Sequence, residues 1–342
     1  MMSRRVPVRM MALASGILAL NACNDTSPTQ PDAIANPPAA AIDLALARNS
    51  WTAKPPIPTG RAEHVAAVVN NSAGQPVLYV VGGRDPMDQT VGAIEAFNYV
   101  TNSWQTKRAN GAIVESNGVG VIGGKLYISG GVTEHGDGPE ADNTLLVYDP
   151  ARDAMTLKAN MPRHTHQGVT GAIGGELYVL VGFCSDCSHG IDRRLYRYDP
   201  ATNAWSTSPA WAPHPHALGA GGVIKGKFYV AGGLDVNGNV TSNLDVYDPA
   251  TNSWKTLAPL PFPIASVAGA VVQNQLYVIG NGHGGRLVQA YDPVTNSWKD
   301  KAALLTGRTS LAAASFVTSS GNQKIFAVGG RANFTANELY TP

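Results

Sequence analysis

The sequence predicts an all-β protein assembled from six copies of one four-stranded unit, and three observations predict it. The phrase Tyr247-Asp248-Pro249-Ala250-Thr251-Asn252-Ser253-Trp254 returns in close copies at Tyr198 to Trp205 and Tyr291 to Trp298, and in worn ones at Phe97 to Trp104 and Tyr148 to Met155. A second phrase is an apolar run, an aromatic, two apolar residues and a glycine pair, as in Leu78-Tyr79-Val80-Val81-Gly82-Gly83. It keeps step with the first: Tyr79, Tyr127, Tyr178, Tyr229, Tyr277 and Phe326 stand 48 to 51 residues apart. A period near fifty belongs to blades or solenoid coils rather than to an ordinary domain. Composition agrees, since 37 glycines in 342 residues and only 14% charged residues suit tight turns and short strands.

The first residues lie outside this pattern. Arg4, Arg5 and Arg9 form a positive region, Met10 to Leu20 is an apolar run too short to span a bilayer, and Leu20-Asn21-Ala22-Cys23 follows at once. This resembles a bacterial lipoprotein signal with its lipobox, although Asn21 is an unusual occupant. The resemblance implies that residues 1–22 are removed, that Cys23 becomes the lipidated first residue, and that the protein sits in the cell envelope on a lipid anchor alone. An ordinary signal peptide cleaved nearby is the alternative. Ser3-Arg4-Arg5 also suggests twin-arginine export, but Pro7 stands where an apolar residue is expected. Residues 23–48, rich in Pro, Ala, Ser, Thr and Asp with no face to bury, read as a flexible tether.

Residues 49–342 exceed the usual size of a single core, and the repeat explains how they form one domain. Within a unit, Ala220 to Ile224 and Lys227 to Ala231 are apolar runs joined by a Lys225-Gly226 hairpin. Asn243 to Tyr247 alternates, and Trp254 to Leu257 opens a fourth run. These are strands a to d. In Asp-Pro-x-Thr-Asn-x-Trp, proline fixes φ in the turn, and the Asp and Thr oxygens are placed to accept backbone N–H bonds across it. The glycine pair closing strand b gives backbone room at the centre of a radial array. Tyr and Trp, each burying about 150–250 Å², fill the wedge between neighbouring sheets.

A glycine pair, then a separated Tyr, then a Trp resembles the kelch repeat, whose family forms β-propellers. The resemblance covers residues 49–342 and implies a six-bladed propeller. Val181-Gly182 and Gly280-Asn281 depart from the glycine pair, and Met155 departs from the Trp. The ends complete one another: Asn49-Ser50-Trp51 begins a strand d with nothing before it, and Leu339-Tyr340-Thr341-Pro342 ends a strand c with nothing after it. The N-terminal strand is therefore expected to join the last sheet and close the ring, hiding two sheet edges.

In an up-and-down blade the a–b and c–d turns share one face and the b–c and d–a segments the other. The b–c segments differ between blades: 84–92, 132–144, 184–193, 234–242, 283–286 and 331–336. Variation concentrated on one face of a repetitive scaffold marks recognition, so the ligand-binding candidates are Arg61, Arg84, His166, His216, His283, Arg286 and Arg331. His64, His164, His214, Arg163 and Arg308 fall in the same d–a segments, where packing roles compete with a metal or anion site. Cys184-Ser185-Asp186-Cys187 is expected to form a local disulfide. No helix follows to lower a thiol pKa for redox work, and with His189 the motif is one ligand short of a closed zinc site. Asp235 to Asn239 resembles a calcium loop without its bidentate Glu, and Glu134, Asp137, Glu140 and Asp142 read as a solvated acidic loop.

A formal net charge of +1 gives no electrostatic case for nucleic acid. The chain is expected to work as a monomeric, cofactor-free binding module for a protein, peptide or glycan. A scaffold without a small ligand is one alternative. The other is a carbohydrate-active enzyme: galactose oxidase is similar in architecture but needs a Tyr joined to a Cys at copper, and the periplasmic sialic acid epimerases are kelch-like propellers. A mutarotase of that kind needs only an acid–base pair, such as Glu63 or Glu115 with a His.

Overall fold

The structure is a computed structural model that describes residues 48–108, 118–135, 138–187 and 190–342. Six antiparallel four-stranded sheets follow one another along the described chain, each ordered a-b-c-d. In blade 1 the strands are Val65–Asn70, Pro76–Val81, Ile94–Asn98 and Ser103–Thr106. Strand a of every blade touches strand a of the next, and that of blade 6 touches that of blade 1, so the six sheets close a ring around a central channel. The expected signal, 1–22, and all of the expected tether, 23–48, except Arg48 lie outside the described residues.

Burial follows position in the sheet. Strand b is sandwiched and therefore apolar throughout, as at Leu177, Tyr178, Val179 and Leu180, all buried. Strand a is crowded by its neighbours and takes small residues instead. A Cβ on Gly269 would come within 2.3 Å of the Gly221 backbone in the adjoining blade. Strand d is mostly exposed, as in Ser253–Thr256.

The Asp-Pro-x-Thr-Asn-x-Trp phrase does more than turn the chain. Its Asn adopts a left-handed backbone, which asparagine tolerates better than most residues: φ is 53° at Asn203, 48° at Asn252 and 49° at Asn296. That geometry points the amide oxygen at the hydroxyl of the strand c tyrosine. Tyr198, Tyr247 and Tyr291 donate to Asn203, Asn252 and Asn296 at 2.7, 2.8 and 2.6 Å. The Asp oxygen accepts from the backbone two residues on, as Asp248 does from Ala250. The Thr hydroxyl differs from expectation: Thr251 and Thr295 pair with the hydroxyls of Ser253 and Ser297, and Thr202 donates to Asp199. Each strand d Trp then donates its indole N–H to the stretch that leaves the preceding blade, Trp205 to Ala159, Trp254 to Ala210 and Trp298 to Ala258.

Ring closure repeats this chemistry across the whole chain. Ser50–Ala53 pairs with strand c of blade 6, Asn337–Thr341, with Trp51 opposite Tyr340. Tyr340 donates to Asn49 at 2.7 Å and Trp51 donates to Ala302 at 2.8 Å. The N-terminal segment thus supplies the Asn and the Trp of a turn phrase whose Tyr lies at the other end of the sequence.

Two expectations about the b–c segments are corrected. The stretch after Gly131 in blade 2 is not a loop: strands b and c run on past a bulge as a two-stranded ribbon, with Gly131 opposite Asp142 and His135 opposite Gly138. Nor do the segments differ in every blade. Those of blades 1 and 4 share one design, in which Asp85 accepts from Met87 and Gln89, and Asp235 accepts from Asn237 and Asn239. Asp235 is therefore a turn-forming residue, its carboxyl held below the usual range by those N–H groups.

Candidate functional site

In the five described d–a stretches the residue that opens toward strand a is buried, and this decides the role of two predicted ligand-binding residues. Arg61 is fully buried, with its guanidinium on Glu95 at 2.5 Å and on the carbonyls of Gly82 and Ala93. His216 is equally buried, Nε2 lying 3.1 Å from Asp245 and Nδ1 2.7 Å from the Gly232 carbonyl. Arg308 repeats the arrangement with Glu338 at 3.0 Å. Neither Arg61 nor His216 can meet a ligand. Both tie a d–a stretch to strand c of their own blade, because a charge in this position needs a partner out of water. The signal was present in the repeat: Glu95, Asp245 and Glu338 each stand two residues before the strand c aromatic.

The other candidates lie on the loop face but do not converge. Arg331 is spent bridging Glu63 and Asp88 at 3.0 and 3.2 Å, and Arg84 donates to the Asp88 carbonyl at 2.7 Å. Arg286 is exposed, with Nε on the Leu304 carbonyl. His166 stacks on Phe183 at 5.3 Å, and burial holds its pKa below the usual value against the pull of Glu63. His283 opens a short 3-10 turn, and its side chain is outside the described ones, as are Glu115 and His189.

At the centre of the same face a hydrogen-bonded arc runs along the channel mouth through five blades. Glu63, Gln167, Leu218, Ser266 and Ser310 occupy equivalent positions in five blades, each with φ between 51° and 63°. Glu63 N–H donates to Ser310, Ser310 to Ser266, Ser266 to Leu218 and Leu218 to Gln167, at 2.9 to 3.0 Å. The cavity they line with His64 is about 90 Å³, well under the roughly 300–1,000 Å³ of small-molecule sites.

A larger recess lies off-centre between blades 3 and 4, about 770 Å³; the 184–193 and 234–242 segments and Arg163 were sequence candidates, whereas Trp211 and Arg194 were not. Three segments build it. The first is the loop from Cys184 to Arg194, where Cys184 and Cys187 are joined as a disulfide with Cα atoms 5.6 Å apart. Arg163, from the preceding d–a stretch, clasps that loop through the Asp186 carbonyl at 2.5 Å and its carboxylate at 3.3 Å. The second is the stretch from Trp211 to Pro215. Ala212 N–H donates to the Arg193 carbonyl at 3.0 Å, and the Arg193 guanidinium returns bonds to the Ala212 and Pro213 carbonyls at 3.3 and 3.1 Å. The third is Val236, 43% exposed at the tip of the blade 4 loop. Trp211, at 47% exposure, carries the guanidiniums of Arg194 and Arg193 over its ring at 4.8 and 5.8 Å. An indole left half in water and loaded with cations is the strongest recognition feature on the described surface.

Comparison with known proteins agrees with the fold. A family model described as the KLHDC2/KLHL20/DRC7 Kelch-repeats domain matches residues 119–330, and a Kelch motif matches residues 60–107. The chain belongs to the kelch-repeat family. This kelch propeller is 28% identical to Kelch-like protein terF of Aspergillus terreus over 66% of its own length and 50% of that protein's. It is 30% identical to human Kelch-like protein 38, over 48% of this chain and 26% of that one. The chain thus spans half or less of these curated relatives. Among solved structures it is similar to that of YjhT, with a TM-score of 0.64 and 17% identity, covering 84% of this chain and 99% of that one. At that identity the likeness is one of fold.

Proposed function

We propose that this kelch propeller is an exported, lipid-anchored binding module, monomeric, that holds a protein, peptide or glycan on its b–c and d–a loop face, seated in the recess between blades 3 and 4. The observation that carries the reading is Trp211, half-exposed beneath two guanidiniums in a recess of about 770 Å³. The opposite face has a recess of about 550 Å³ between blades 1 and 2, but among the described residues no exposed tryptophan lines it, and its Asp-Pro turns are near-copies that satisfy their own polar groups. The kelch-like relatives support an interaction role over a catalytic one. The acid–base alternative at Glu63 is weakened on two counts: Glu63 is engaged by Arg331, and the cavity beside it is too small for an ordinary ligand site.

Cys23, ahead of a segment without packing signals, supports the anchor. A photo-crosslinking residue at Val236 is expected to capture a partner in intact cells, and the same residue at Val294, on the turn face, to capture none. In the same cells Cys23→Ser is expected to move the protein from the membrane to the soluble fraction. Capture from Val294 alone overturns the binding face. Retention of the serine variant in the membrane fraction, with no acyl mass on the wild type, overturns the anchor.

A further inference from the structure

We propose that the recess between blades 3 and 4 selects an acidic peptide, an extended segment whose Asp or Glu side chain is taken by the paired guanidiniums of Arg193 and Arg194. This rests on the binding-module reading and goes on to give the ligand its chemistry.

Charge complementarity carries the argument. The recess is lined by three arginines, Arg163, Arg193 and Arg194, and two aspartates, Asp186 and Asp192, leaving one positive charge in excess. The aspartates do not answer the arginines equally. Asp186 meets Arg163, which its loop already encloses. Asp192 meets Arg194 only through Nε at 3.5 Å, leaving both terminal nitrogens of Arg194 without a partner among the described residues. Arg193 commits one terminal nitrogen, Nη1, to the Ala212 and Pro213 carbonyls.

The cation–π contact sets what remains for a ligand. A guanidinium carries its N–H donors in its own plane, so one seated over a ring still has donors to grip a carboxylate by two parallel bonds. Trp211 holds two such groups over one ring, so their order is built before any ligand arrives, which lowers the cost of binding. The Arg194 side chain is 28% exposed, enough to be reached and little enough for its charge to escape full screening.

The same stacking favours a peptide over a sugar. A sugar recognised by tryptophan lies on the ring face, and here guanidiniums lie over the ring. The remaining lining, Ile191, Pro213, Pro215 and Val236, is aliphatic, which suits apolar side chains flanking an acidic one.

The test uses the full chain and a fluorescein-labelled Leu-Glu-Leu-Glu-Leu peptide, its Gln counterpart, and labelled oligogalacturonate as an acidic sugar. Fluorescence anisotropy is expected to show the Glu peptide bound at least tenfold more tightly than the Gln peptide, and more weakly as salt rises. Arg193→Gln with Arg194→Gln is expected to reduce binding at least tenfold at an unchanged melting temperature, with Lys255→Gln, on the exposed strand d of blade 4, leaving it intact. Should the double variant lose its fold, Arg194→Lys keeps the charge and removes the planar fork, and is expected to weaken binding severalfold. Equal affinity for the Glu and Gln peptides overturns the proposal, as does undiminished binding in a folded double variant or in Arg194→Lys, or tighter binding of oligogalacturonate. Capture from Val236 together with any of these leaves the binding face standing and removes only the acidic peptide.

Discussion

His64 is packed between the first and last blades with its ring against the Gly329 backbone, where a Cβ on that glycine would meet it at 2.4 Å. Burial, and then the charge of Arg61, drive its pKa down to about 3 against the pull of the Val328 carbonyl. The unfolded chain takes up that proton near pH 6.5 while the native one does not, so the native state is favoured above pH 6.5 and loses ground as the pH falls toward 3, by at most about 1.4 kcal/mol per unit. Asp245 carries the opposite signature. Burial raises its pKa, but His216, Thr256 and His214 outweigh that and hold it below the usual range. Its contribution is therefore complete above an ordinary aspartate pKa and is lost only below it. Between pH 7 and pH 5 the histidine effect stands apart. Urea midpoints are expected to fall across that window in the wild type and to fall less in His64→Gln, with the residual slope from His166, which is also held low by burial. A slope unchanged by the substitution would refute the assignment. At this scale the sequence exposed the residues but not their partners. Arg61 and His216 stood out as basic and imidazole groups in the d–a segments, and only the strand c carboxylates reveal them as internal ties.

The turn phrase is the element that makes one blade recognise the next. Asn252 joins a left-handed backbone, a tyrosine hydroxyl and the Ser208 hydroxyl of the preceding blade at 2.8 Å. Alanine there keeps the strained φ and removes the acceptor. Asn252→Ala is expected to lower stability by about 2 kcal/mol, the sum of a left-handed penalty and one or two lost hydrogen bonds. Asn252→Gly, which relieves the backbone, should cost less. Guanidinium midpoints for the pair measure the difference, and equal losses would mean that the backbone carries none of it. These turns were readable because repetition averages out accident: the same spacing returns in blade after blade. The recess between blades 3 and 4 was not readable for the same reason. Trp211 has no counterpart in the other d–a stretches, so no period announces it, and Arg193 and Arg194 owe their position to a backbone pairing with Ala212 that no local pattern encodes. The ribbon of blade 2 was hidden differently, since its polar, glycine-bounded strands carry no apolar alternation to separate them from a loop.

For the whole molecule the decisive contact is the one between its ends. Trp51 is buried at 7% exposure, lies 5.0 Å from the Tyr340 ring, and donates to Ala302 in the stretch leaving blade 5. Trp51→Ala removes the wedge filler and the hydrogen bond together, and core truncations of this size cost about 3–5 kcal/mol. A chain starting at Ile57 is expected to melt well below one starting at Ala41, with Trp51→Ala between them. Equal melting temperatures for the three would show that closure contributes nothing.

Because the Asn and Trp of the last turn are made first and their tyrosine almost last, the order of synthesis runs against the order of assembly. While the chain is still growing, blades 1 to 5 can pair within themselves, but Ser50–Ala53 has no strand to join until Asn337–Thr341 emerges. A chain that lacks Asn337–Thr341 therefore displays Ser50–Ala53 unpaired, a ready target for proteases and for pairing with other chains. Arrival of Asn337–Thr341 is thus the event that removes both edges in one step.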